Sequence, residues 1–348
     1  MTCVGEFQKG KNLVRAAVYN GPRDISLVEM KTPACGDDDV LLRNLYASVC
    51  GSDISAYFHG PRAHRITPGS EFGHEMVSEV AVKGKNVTGL EVGDRVYPYP
   101  ALAAGDSSRA GTLGGFSEYI LVPNCEVGRQ VYPVSTKVSS RTAALIEPFT
   151  VATHAARRSN PKAGETAVVF GAGTIGMGVA IALRYFGCST VMVVDISDFR
   201  LRKAADLGFA TCNSAKQDLG AKAREVFGTA RSLSGHTADV DIFVEATGVN
   251  APIDTYQVMG KLFSRLVVVG VHHTPYPVDF ASLAYAQHSI IGSGGYLPED
   301  VDTVMDIMES GDFDIESIIT HEFPQHEIVR AIETASATDG ALNVVIKY

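Results

Sequence analysis

The sequence predicts an α/β protein of two domains, one rich in β-strands and one built on a doubly wound parallel sheet. Two observations carry this. From Leu13 to about Glu147 short apolar or alternating runs are separated by turn residues, and after Arg158 the rhythm changes to strands alternating with helix-length segments. A third fixes the second domain: Gly171-Ala172-Gly173-Thr174-Ile175-Gly176 sits where an apolar strand gives way to a helix.

In chain order, strands are expected around Leu27-Val28, over Val40-Leu41-Leu42-Arg43-Asn44-Leu45, and at 76–82, 94–99 and 117–122. The breaks between them carry turn chemistry, with Gly36-Asp37, Gly60-Pro61, Pro68-Gly69, Gly93-Asp94 and Gly114-Gly115. Beyond them, 166–170 reads as a fully apolar strand, 174–186 as a helix and 190–194 as a second strand ending in Asp195. Helices over 198–206 and 219–233 follow, then strands at 240–244, 265–269 and 289–291. Such alternation implies a parallel sheet with helices on both faces. Residues 298–309 and 325–335 read as helices and 343–347 as a last strand, a tail too short to be a domain. The expected division is therefore 1–156, completed by 294–348, and 157–293.

Composition bounds the function. With 348 residues and 45% hydrophobic content the chain can bury a sizeable core, and its formal charge of −9 argues against nucleic acid and anionic membranes as partners. No apolar run approaches a membrane span, and MTCVGEFQKGKN lacks the apolar core of a signal peptide. Cys3, Cys35, Cys50, Cys125, Cys188 and Cys212 are scattered without a framework, which points to a reducing, cytoplasmic setting.

Three fragments carry the chemistry: Cys50-Gly51-Ser52-Asp53, Gly73-His74-Glu75 and Glu147-Pro148. They offer thiolate, imidazole and carboxylate, the ligand types of a zinc ion that keeps a position open. Each is weak alone, since a lone Cys or His is more often packing. The glycine fingerprint changes the weighing, because a metal that polarises an alcohol oxygen and a cofactor that accepts hydride make one reaction. Within the fingerprint Gly171, Gly173 and Gly176 allow the tight turn, the backbone approach to a pyrophosphate and close helix–strand packing, and the helix start at Thr174 and Ile175 offers N–H groups to phosphate. Asp195, 19 residues after Gly176, would accept hydrogen bonds from ribose hydroxyls and repel a 2′-phosphate, favouring NAD over NADP. Arg200 and Arg202 follow and could instead pair with a phosphate.

Taken in order, Cys-Gly-Ser-Asp at 50–53, Gly-His-Glu at 73–75, Gly-Asp-Arg-Val at 93–96, Gly-Gly-Phe-Ser-Glu-Tyr at 114–119, Glu-Pro at 147–148, the glycine fingerprint and Glu245-Ala246-Thr247-Gly248 resemble the zinc-dependent medium-chain dehydrogenases. Glu75 and Glu147-Pro148 look most like the branch of the sorbitol, galactitol-phosphate, butanediol and threonine dehydrogenases. The resemblance implies a chaperonin-10-like catalytic domain, a Rossmann coenzyme domain and a homodimer or homotetramer formed through the strand near 289–293. It implies Cys50 and His74 as zinc ligands, with Glu75 and Glu147 binding the metal directly or through water. Ser52 is similar to the hydroxyl that takes the alcohol proton, and Asp53 to an acid orienting the site. Thr247, Val269 and Val271 fall at expected cofactor contacts.

The implied activity is hydride transfer between a secondary alcohol, such as a polyol, sugar alcohol or hydroxy compound, and NAD(H), with one catalytic zinc. Two departures stand out. No cysteine lies between Val96 and Tyr119, where many members hold a structural zinc with four, so none is expected here. Ser55 stands where many carry a relaying histidine, with His59 and His64 as nearby substitutes. A metal-free quinone or enone reductase of the same superfamily, or a non-catalytic dinucleotide-binding protein, are the alternative readings.

Overall fold

The structure is a computed structural model that describes residues 13–61, 66–106 and 108–348. His64 and the segment MTCVGEFQKGKN lie outside the described residues. The chain divides into two compact units: 1–147 with 319–337 and 343–348, and 148–318 with 338–342.

In the first unit a seven-stranded sheet runs in the order Ile319–Pro324, Asn343–Lys347, Val40–Ser48, Glu75–Lys83, Arg95–Pro98 and Val131–Pro133, with Tyr119–Val122 also paired to Val40–Ser48. Val40, Leu41 and Leu42 are buried while Arg43 reaches solvent and pairs with Glu79 at 3.0 Å. The antiparallel register sets Ser48 opposite Glu75. That single pairing brings Cys50, two residues past one strand, beside His74, one residue before the other. A three-stranded sheet of Asp24–Lys31, Leu13–Gly21 and Ser70–Glu71 adjoins it in sequence.

The stretch expected to hold only strands and turns also forms helices, at Gly51–His59, Pro100–Ala103 and Ser140–Ala143. Gly51–His59 starts because Cys50 is extended (φ −78°, ψ 153°) and its N–H donates to Asp53 Oδ2 at 3.0 Å, a reach-back that satisfies a helix-start donor. Asp53, Ala56 and Tyr57 are its buried residues, at the i, i+3, i+4 spacing of one helical face. Tertiary burial thus makes a helix of a segment too short to announce itself by periodicity.

The second unit holds a six-stranded sheet in the order Ala210–Asn213, Thr190–Asp195, Thr166–Phe170, Ile242–Glu245, Arg265–Val268, Ser289–Gly292, every neighbouring pair parallel. Val168, Phe170, Met192, Val194, Phe243, Tyr256 and Leu266 form its packed core, as strands covered on both faces require. The helix expected over 219–233 ends at Phe227, and Thr229–Ser232 pairs antiparallel with Gly235–Ala238 instead. Gly228 causes the break: its φ of 80° leaves the helical region, and the chain re-enters as a hairpin. Helix Pro298–Ser310 also belongs to this unit. It buries Val301, Val304, Ile307 and Met308, and Asp300, fully buried, accepts from Arg157 Nε at 2.7 Å and lies 2.8 Å from His154 Nδ1. The return to the first unit therefore begins at Ile319 rather than at 294.

Candidate active site

In the first unit the structure gathers three of the four expected metal ligands at one point. Ligand atoms of Cys50, His74 and Glu75 all lie within 4.8 Å of one another. Cys50 caps the helix whose first turn carries Ser52 and Asp53, His74 is the last of the three residues that link Ser70–Glu71 to the next strand, and Glu75 is that strand's first residue. Gly73 makes the approach possible. Its φ is 89°, and a Cβ there would stand 2.6 Å from the Phe116 ring. Glu147, the fourth expected ligand, is 8% exposed in the first turn of Ile146–Arg158, and its charge is felt at both Cys50 and His74.

The electrostatics describe a place built for a cation. Burial pushes the Cys50 thiol well above its ordinary range, and the charges of Glu75, Asp53 and Glu147 push it further. Burial raises the Asp53 carboxyl to about 7, with Glu75 adding to it and His74 opposing. Burial alone would lower His74, yet Asp53, Glu147 and Glu75 outweigh it and hold the imidazole above its usual value. Three acids and a thiol crowded around one imidazole leave the site short of positive charge. Asp53 Oδ1 and Glu75 Oε2 are moreover buried without a hydrogen-bond partner, which is costly unless something else takes them up. The donor set of sulfur, nitrogen and carboxylate oxygen fits zinc.

Beside this cluster lies a cavity of about 210 Å³, lined by Ser52, His74, Pro100, Ala101, Ala104, Gly111 and Thr112. Pro100, Ala101, Ala104, Gly111 and Thr112 belong to the stretch that lacks cysteines, which packing is expected to hold in place of a metal. Tyr97, Tyr99 and Leu113 of that stretch are buried. His59 is exposed at the end of its helix, and at 1.5 Å per residue it stands about 10 Å along the axis from Ser52.

The second unit carries the dinucleotide-binding features. Gly173 caps helix Thr174–Tyr185, so the N–H groups around Thr174 and Ile175 stand at a helix start. A Cβ on Gly176 would fall 1.8 Å from the Gly171 carbonyl oxygen, so no larger residue fits this turn. Asp195 ends its strand with Oδ2 accepting from Ala172 N at 2.7 Å and Oδ1 from Ile196 and Ser197 N at 2.7 and 2.8 Å. Three of its roughly four acceptor sites are thereby used, which leaves one for a ribose hydroxyl. Arg200 Nε donates to Ala341 O at 3.0 Å, its guanidinium reaches to 3.8 Å from where a Cβ on Gly173 would be, and burial lowers its pKa against the pull of Asp195. Thr247 is held by the buried Glu245, which accepts from Thr247 N at 2.6 Å and Gly248 N at 2.8 Å. Val269 N donates to Glu245 O at 2.9 Å, and Val271 is 58% exposed.

Two contacts escaped the sequence reading. His272 Nε2 lies 2.9 Å from Glu245 Oε2, and Arg109 pairs with Glu71. No spacing signals either, because each joins residues 27 and 38 positions apart that only the folded backbone makes neighbours.

Two family models match the chain: "Alcohol dehydrogenase GroES-like domain" over 36–134 and "Zinc-binding dehydrogenase" over 174–310. The chain is 28% identical over 348 residues to the 2-dehydro-3-deoxy-L-galactonate 5-dehydrogenase of Pseudoalteromonas atlantica, covering 95% of this chain and 98% of that one. It is 28% identical over 361 residues to the sorbitol dehydrogenase of Rattus norvegicus, with 97% and 96% covered. Among solved structures, the 2R,3R-butanediol dehydrogenase of Bacillus subtilis superposes with a TM-score of 0.83 at 24% identity, covering 96% and 99%, and so shares the fold.

Proposed function

From a chain that belongs to the zinc-dependent medium-chain dehydrogenases, in their polyol-dehydrogenase branch, we propose the following division of labour for the residues described above. The protein is an oxidoreductase that transfers hydride between a secondary alcohol and NAD. The observation that carries the reading is the convergence of Cys50, His74 and Glu75 ligand atoms within 4.8 Å, in a buried pocket rich in unsatisfied acceptors.

Cys50 and His74 would hold the zinc, with Glu75 and Glu147 completing its shell directly or through water. Bound there, zinc supplies Lewis acidity that lowers the pKa of a substrate hydroxyl. Ser52, whose Oγ lines the cavity beside His74, would accept the hydrogen bond of this hydroxyl and pass its own hydroxyl proton on toward water as it takes the substrate's, so that it stays neutral. Asp53 holds the Cys50 backbone through the 3.0 Å bond to its N–H and so fixes where the thiolate points. In the second unit the turn from Gly171 to Gly176 receives the NAD pyrophosphate, Asp195 binds the adenosine ribose through its remaining acceptor site, and Arg200, Thr247, Val269 and Val271 complete the cofactor surface. The carboxylate of Asp195 also repels a 2′-phosphate, so NAD is preferred. Substrates are small polyols, sugar alcohols or hydroxy compounds, of the kind named by the relatives.

Metal analysis with NADH absorbance on a panel of polyols tests this reading. One tightly bound zinc per chain and NADH formation with at least one secondary polyol are expected, with NAD favoured over NADP. Two tight zincs per chain, or turnover that survives complete metal removal, would refute it.

Ser289–Gly292 is the edge strand of its sheet, and Ile290, Phe280, Tyr285 and Leu297 are exposed nearby in sequence. An edge with unpaired backbone and apolar side chains invites a second copy. The expected particle in solution is a homodimer or homotetramer, and light scattering at one 37.1 kDa chain would contradict it.

A further inference from the structure

Glu71 is a carboxylate with 3% exposure, three residues before His74. Arg109 closes on it from the segment between Pro100 and Leu113: Nε binds one carboxylate oxygen, Nη2 lies 3.3 Å from the other, and Nη1 donates to the Lys31 carbonyl at 2.9 Å. The Ser117 hydroxyl donates to the same carboxylate at 2.6 Å. A charge this deep persists only when paired and hydrogen bonded, so the pair fixes one seat for its segment.

Backbone bonds then follow residue by residue toward the metal cluster. Glu71 N donates to Arg109 O at 3.0 Å and Phe116 N to Phe72 O at 3.0 Å. The Gly73 carbonyl accepts twice, from Gly115 N at 2.8 Å and from the Thr112 hydroxyl at 3.1 Å. The next residue is His74. Gly111 and Thr112 of the same segment also line the cavity that Ser52 and His74 face.

We propose that Arg109 and Glu71 are positioning residues for the metal centre: their buried ion pair docks the 108–113 segment onto the peptide carrying His74 and so holds the imidazole where the thiolate and carboxylate meet it. The inference rests on the metal reading above.

The test measures the zinc dissociation constant by chelator competition, the visible spectrum of the cobalt-loaded protein and the melting temperature of the metal-free protein. Wild type is compared with Arg109→Met, Glu71→Gln, Arg109→Lys and Thr112→Val. Zinc affinity is expected to fall about 10–100-fold in the first two, the scale of losing a group that orients a ligand, with an altered cobalt spectrum. Arg109→Lys, which keeps the charge but not the two-pronged grip, should fall between them and wild type. Thr112→Val leaves the ion pair intact but removes the bond to the Gly73 carbonyl, and should loosen zinc measurably; if Arg109→Met or Glu71→Gln fails to fold, Arg109→Lys decides the matter, wild-type zinc affinity and cobalt spectrum in it overturning the proposal. Variants that melt earlier yet keep wild-type zinc affinity and cobalt spectrum would overturn the proposal and leave the pair a structural brace. Absence of zinc uptake by wild type would instead overturn the metal reading itself.

Discussion

Cys50→Ala and His74→Ala are expected to abolish tight zinc binding and oxidation while the protein stays folded. Neither side chain holds its element together. The helix start at Cys50 depends on the backbone N–H and the Asp53 carboxylate, and the strand after His74 is held by its pairing with Val40–Ser48. Both residues instead contribute donors to a point where ligand atoms converge within 4.8 Å. Removing the thiol also takes away a group that burial and three carboxylates hold protonated in the metal-free protein, so that protein should lose little stability or none. Far-ultraviolet circular dichroism and metal analysis on the purified variants check both halves. Near-normal kcat in a variant stripped of metal would end the zinc mechanism.

Ser52→Ala carries the second large effect. A proton acceptor within hydrogen-bond reach of the reacting hydroxyl is worth about 10²–10⁴-fold, and Ser52 Oγ is buried and lines the cavity beside His74. Its loss should appear in kcat, with zinc content unchanged. Ser55→Ala should cost little, because a neutral hydroxyl cannot titrate near pH 7 as a histidine would. A pH profile of kcat with an inflection near 6.5 that vanishes in His59→Gln or His64→Gln would assign the relay to a loop histidine. His59 speaks against that, standing exposed at the far end of the helix that begins beside Ser52.

The parts of this protein legible in its sequence are those whose determinants are local. Gly171, Gly173 and Gly176 mark the strand-to-helix turn because the backbone there admits nothing larger, as the 1.8 Å approach at Gly176 shows. Val168, Phe170, Met192 and Val194 announce buried parallel strands by being apolar without alternation. Cys50, His74 and Glu75 could be grouped by ligand type beside the glycine fingerprint and by resemblance, but not by local spacing, since the Ser48–Glu75 register that unites them is a tertiary fact. Where determinants are distant the reading fails. The apolar spacing of 219–233 conceals a helix end that Gly228 imposes, and the helix at Gly51–His59 exists because Asp53, Ala56 and Tyr57 find a surface to cover. Nothing local to Arg109 marks it out, because its partner Glu71 lies 38 positions away.

The discontinuity of the first unit bears on how the protein comes into being. Asn343–Lys347 lies between Val40–Ser48 and Ile319–Pro324, and Asn343 Nδ2 donates to Ser48 Oγ at 2.9 Å. During synthesis the strand that carries the chain to Cys50 emerges early, yet one of its three neighbours arrives some three hundred residues later. The parallel sheet between Thr166 and Gly292 can form in the interval from contiguous chain. Unit by unit, then, folding should run opposite to translation, the coenzyme half first and the metal half last. A nascent chain halted before residue 343 would display a finished nucleotide fold beside an unfinished sheet.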